Sequence, residues 1–139
     1  MAAVTSVMRA QQVFLARIDG LLAGHGLTFA RYEVLVLLSF SRAGSLPLGK
    51  VGARLQVHPA SVTNAVDRLE SQGLVRRDPH PSVGRTRLAS ITAAGRAVVE
   101  QATARLNDEV FTAVGLTAGE ATQLVRLLEK VRRQAGDFA

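Results

Sequence analysis

Between Ser45 and Ile91 the chain carries a pattern that few folds accommodate: two amphipathic segments separated by three residues, followed at once by two short β-rich segments around a Pro/Gly loop. In the first segment, Ser45 to Leu55, Leu48, Val51 and Leu55 recur at helical spacing, and Pro47 falls in the first turn, where its missing N–H is tolerated. Pro59 confines His58 to extended backbone and itself takes the first position of a second helix, Pro59 to Gln72. Val62, Val66 and Leu69 form its inner stripe, and Gly73 supplies a left-handed terminator. Its outer face carries Ala60, Ser61, Thr63, Asn64, Asp67, Arg68 and Ser71, mostly small or hydrogen-bonding groups. Leu74 to Asp78 and Thr86 to Ile91 read as strands joined by the loop Pro79 to Arg85. The sum is a winged helix-turn-helix: a mainly α fold with a small β-hairpin wing.

Helices flank this lobe. From Val4 to Leu22 apolar residues fall at Val4, Val7, Met8, Leu15, Ile18, Leu21 and Leu22, and Gly24 and Gly26 end the run. Thr28 caps a helix to about Arg42 whose centre, VLVLLSF, is apolar on nearly all sides and is expected to be buried all round. Thr92 caps a further helix with Val99, Ala102, Leu106, Val110 and Val114 inward. Thr117 and Glu120 match a capping box, opening a last helix with Leu124, Leu128 and Val131 on one side. The 139 residues fit one domain, which would bury roughly 70% of its unfolded surface. Within it, residues 28–92 form the winged lobe, while 1–24 and 93–139 supply helices whose apolar stripes exceed what one lobe can cover. A two-fold homodimer would cover them and set two recognition helices about one DNA turn, ~34 Å, apart.

Composition removes other classes. Without cysteine there is no disulfide, thiolate metal site or thiol redox sensor. His25, His58 and His80 share no ligand spacing, so no metal is expected. The longest apolar run, Val34 to Phe40, is too short for a bilayer, and Arg9 and Arg17 interrupt the N-terminal pattern where a signal peptide would be apolar. A cytoplasmic protein without a membrane partner is expected. No nucleophile elbow, phosphate loop or zinc-protease motif occurs, so neither an enzyme nor a cofactor is expected. Of the net charge of +6, residues 41–90 carry +5, residues 1–40 carry +1, and residues 91–139 are neutral. The excess coincides with the winged lobe and points to double-stranded DNA.

The helix-turn-helix logic assigns roles. Pro59 and Ala60 would lie near the floor of the major groove, with Ser61, Thr63, Asn64 and Arg68 reading base edges: Asn64 suits adenine, and Arg68 suits guanine or a phosphate. Arg68 could instead pair with Asp67 or Glu70. Arg85 at the wing tip is placed to enter the minor groove. Ser45, Lys50, Arg54, Arg76 and Arg87 are candidates for phosphate contacts, which give affinity and salt dependence.

The string LTFARYEVLVLL, then LPLGKVGARLQVHPASVTNAVDRLESQGLVRRDPHPSVGRTRLASITAAG, resembles the MarR family of bacterial transcriptional regulators over about 70 residues. Most specific is SVTNAVDRLESQGLVRR followed by Gly-Arg, a strand and T-x-x-G. The resemblance implies a homodimeric regulator of pseudo-palindromic operators, usually a repressor and often released by a small aromatic or phenolic ligand. The family commonly places Asp just before the wing Gly-Arg; here that residue is Val83, which leaves Arg85 without a charge-assisted anchor. Arg17, His25, Phe29 and Tyr32, where the first two helices meet, are candidate ligand contacts, with a core role open for Phe29 and Tyr32. A constitutive activator or architectural DNA binder, and a winged helix that binds protein, are the alternatives.

Overall fold

The computed structural model describes residues 1–82, 84 and 86–137. Helix α1 (Ala2–Leu22) runs through a single 3-10 turn to Gly26, whose φ of +71° turns the chain. Two groups then start α2 (Phe29–Phe40). The Thr28 hydroxyl accepts the Arg31 N–H, and the Asp19 carboxylate of α1 accepts the Phe29 N–H at 2.7 Å. Both satisfy donors that a helix N-terminus leaves unpaired, and the carboxylate also suits the positive end of the helix dipole.

Val34, Leu35 and Leu38 of α2 are buried at the centre of the core, packed among Leu22, Val51, Val66, Leu69 and Leu106. Each such fully buried side chain contributes roughly 1.5–3 kcal/mol. Burial all round fails at the end of the helix. Val36 and Leu37 are only partly covered, and Phe40 is 84% exposed.

The first half of the helix-turn-helix also differs from expectation. Ser45–Pro47 is a strand, β1, and the helix, α3, spans only Leu48–Leu55, with Pro47 its extended N-cap residue (ψ 139°). β1 pairs antiparallel with β3 (Arg87–Ile91) in the register Ser45↔Ser90, Leu46↔Ala89, Pro47↔Leu88. β3 pairs on its other side with β2 (Val75–Pro79), so the wing is a three-stranded sheet in the order β1-β3-β2. The proline is tolerated because β1 is an edge strand. The turn from α3 into α4 (Pro59–Ser71) passes through Gln56, the one non-glycine residue with positive φ (+54°) among those described.

α5 (Ala93–Leu106) starts where Thr92 ties three segments together. Its hydroxyl accepts the Gly95 N–H and donates to the Gly73 carbonyl at 2.7 Å. Val99, Ala102, Leu106 and Val110 are buried, while Val114 is only half-buried. Beyond Leu106 the helix widens into a π-turn, Asn107–Phe111. Arg17 of α1 donates to the carbonyls of Glu109 (2.7 Å) and Ala113 (3.1 Å), a cation on unpaired C-terminal carbonyls.

α6 (Ala118–Gln134) opens with the expected capping box: Thr117 accepts the Glu120 N–H and Glu120 accepts the Thr117 N–H. The hydrogen bonds from Thr117 hold the Glu120 carboxyl below its ordinary range. No residue of α6 is buried. Leu124, Val125, Leu127 and Val131 are exposed, as are Val4, Val7, Met8 and Val13 of α1. No single helix among the described residues is long and apolar enough to cross a membrane.

Candidate nucleic-acid interface

α4 divides cleanly into two faces. Val62, Ala65, Val66 and Leu69 seat it on the core. Pro59, Ala60, Ser61, Thr63, Asn64 and Arg68 are all exposed. The His58 ring caps the helix, its Nδ1 accepting the Ala60 N–H at 3.1 Å. Asp67 and Glu70, which could have neutralised Arg68, are engaged elsewhere. Arg77 of β2 donates to Asp67 at 2.5 Å and to Glu70 at 3.0 Å, and its backbone N–H donates to the second Glu70 oxygen. Arg68 is left with no ion pair among the described residues, and the side chains of Ser61, Thr63, Asn64 and Arg68 make no hydrogen bond with another described residue. Their donors and acceptors face outward, available to a partner.

The expected phosphate contacts fall into three situations. Lys50 and Arg54 on α3 and Arg87 on β3 are exposed. Arg76 is exposed but pairs with Asp78 at 3.1 Å, a surface ion pair of the weak, solvent-screened kind. Ser45 is half-buried, its hydroxyl 2.7 Å from that of Ser90. The Ser45 hydroxyl thus already has a partner within the sheet. The Ser90 hydroxyl and the Arg76 guanidinium hold the Asp78 carboxyl below its ordinary range. Arg85 and Val83 lie outside the described residues; nearby, the His80 N–H donates to the Thr86 carbonyl and its Nδ1 accepts the Ser82 N–H.

The four candidate ligand contacts do not all line one of the clefts that Tyr32 borders. Phe29 and Tyr32 stack at 6.3 Å between ring centres. Arg17 is held by the π-turn, and His25 ends the 3-10 turn with its Nε2 buried and without a partner among the described residues. Tyr32 lines two clefts that contain neither. One, of about 630 Å³ between α2 and α5, includes Val36, Phe40, Arg96, Thr103 and Asn107, with the Tyr32 hydroxyl 2.7 Å from that of Thr103. The other holds Phe29, Phe111 and Glu33, whose carboxyl is raised above its ordinary range by burial. Ionised Glu33 thus costs stability at neutral pH, a penalty absent once acid protonates it. Among the described residues no group of three His, Asp or Glu is placed to hold a metal ion.

Sequence reasoning missed Arg77. Its partners lie seven and ten residues upstream on another element, so only a guess that the second strand packs on the end of the recognition helix would have exposed it.

A polar, unpaired helix face braced to a basic three-stranded wing defines a winged helix-turn-helix protein. The MarR family profile matches residues 27–86. The solved structure of Sco5413, a MarR family transcriptional regulator from Streptomyces coelicolor, is 50% identical, covers 100% of this chain and 96% of its own, and superposes with a TM-score of 0.91. A second S. coelicolor MarR family regulator, Sco3205, solved in complex with DNA, is 26% identical over 96% of this chain and 85% of its own, with a TM-score of 0.88. The HTH-type transcriptional repressor Rv2887 of Mycobacterium tuberculosis is 28% identical over 88% of each chain. An uncharacterized HTH-type transcriptional regulator of Mycobacterium leprae is 31% identical over 70 residues, so the match spans about half (49%) of that relative's length. The chain belongs to the MarR family: it is a transcriptional regulator and not an enzyme.

Proposed function

We propose that the protein is a homodimeric repressor that reads a pseudo-palindromic operator with α4 in the major groove. The observation that carries this is the outer face of α4, where Ser61, Thr63, Asn64 and Arg68 are exposed and unpaired while the neighbouring acids are occupied by Arg77. Exposed Lys50, Arg54 and Arg87 supply phosphate contacts beside it. The DNA complex of Sco3205 and the repressor relative Rv2887 support the same reading. The exposed stripes on α1 and α6 are the surfaces a second copy would cover, giving residues 1–24 and 93–139 the dimerising role and residues 28–92 the DNA-binding one.

The cleft between α2 and α5 suits a small amphipathic ligand, with apolar contact from Val36 and Phe40, a cation at Arg96 and a carboxylate at Glu100. Such a ligand weakens DNA binding only through preference for a dimer with a different recognition-helix spacing. One titration tests the whole reading: binding of a fragment from upstream of the protein's own gene against random DNA, with and without aromatic acids. Tight, sequence-selective binding relieved by an acid is expected. Binding no better than to random DNA at ~150 mM salt, where non-specific Kd is about 10⁻⁴–10⁻⁶ M, would sink the specific-regulator reading. Selective binding that no acid relieves would leave a constitutive binder.

A further inference from the structure

α4 is flanked on both sides. On one, α3 packs against it around Gly52, Val62 and Thr63 and carries Lys50 and Arg54. On the other, the start of α2 forms a shallow cleft of about 300 Å³ with it, lined by Thr28, Arg31, Ser61, Asn64 and Arg68 and by no acidic residue. Two guanidinium groups thus share a cleft with hydroxyl and amide groups and no counter-charge.

Arg31 is fixed in place. Its Nε donates to the Thr28 hydroxyl at 3.2 Å, and its Nη1 to the Gly26 carbonyl at 3.2 Å and to Gln72 Oε1 at 3.5 Å. Gln72, which caps the end of α4, in turn donates to Gly26 at 2.7 Å. The Arg31 Nη2 group makes no hydrogen bond with another described residue. The guanidinium is therefore pre-ordered beside the recognition helix with donors to spare, and the entropy of holding it is already lost.

A helix about 10–12 Å across fills a major groove about 12 Å wide, so groups on its two flanks meet the phosphates of the two opposite strands. We infer that Arg31 is a DNA-binding residue, contacting a backbone phosphate on the strand opposite to the one met by Lys50 and Arg54. This rests on the placement of α4 in the major groove proposed above. Arg31 would then fix the seating of the helix without reading sequence.

The test is the salt dependence of Kd for the upstream fragment and for random DNA. Arg31→Gln should weaken both by a similar factor, about fivefold to tenfold near 150 mM salt, and make the slope of log affinity on log salt shallower by about 0.9. Arg31→Lys, which keeps the charge but loses the fork, should restore most of that slope. Gln72→Ala, which removes the strut and leaves the charge, should leave the slope unchanged. An Arg31→Gln slope equal to the parent's overturns the inference and reduces Arg31 to a brace between α2 and α4. If Arg68→Gln also leaves both slope and affinity untouched, the placement of DNA along α4 fails with it.

Discussion

A β-carbon at position 95 would sit 2.2 Å from the Leu74 carbonyl oxygen and 2.9 Å from the Ile91 side chain, both nearly immovable because they belong to the entry and exit of the wing. Gly95 lets α5 lie directly on that seam, the reason the T-x-x-G run has glycine at its fourth place. Gly95→Ala is expected to cost about 2 kcal/mol by overpacking, a fall of roughly 5–10 °C in Tm. Gly119, with open space at its β-carbon, should accept alanine without loss. Equal melting of the two variants would show that α5 can slide off the wing.

Between elements the decisive contact is Arg77 of β2 across Asp67 and Glu70 of α4, because it sets the wing against α4 and pairs two carboxylates beside the face proposed to meet DNA. Arg77→Met should lower stability by only about 1 kcal/mol, the scale of part-exposed ion pairs, yet weaken operator binding about tenfold by freeing both acids to repel phosphates. A binding loss no larger than the stability loss, read from melts and titrations on the same samples, would count against that role. Helix ends were legible in the sequence because their signals are local: Thr28, Thr92, Thr117, Pro59 and Gly73 all act where expected. The outward face of α4 was legible for the same reason. β1 was not, since three residues with a proline carry no period of their own and become a strand only by pairing with Leu88–Ser90. Arg77 and the seating of Arg17 on the π-turn were hidden likewise, each decided by contacts between distant segments.

For the whole molecule, charge and apolar surface are segregated. The lobe of residues 41–90 carries +5 of the net charge of +6, and the helices outside it expose Val4, Val7, Leu127 and Val131. Val131, 66% exposed in the single chain, can take a charge without harming the fold of one subunit. Leu127→Glu with Val131→Glu should therefore leave the circular dichroism unchanged while converting a dimer of 14.8 kDa subunits to monomer in sedimentation, and should abolish tight operator binding. Parent protein sedimenting as a monomer at micromolar concentration would refute the dimer. The β1 strand bears on how this molecule is made. Ser45 meets Ser90 across 45 residues, so closing that ladder costs loop entropy that the local β2–β3 hairpin does not incur. During synthesis the β1 residues emerge before their partner and have no ladder to join while α3, α4 and β2 are added. The winged lobe is finished only when β3 takes its place between the two.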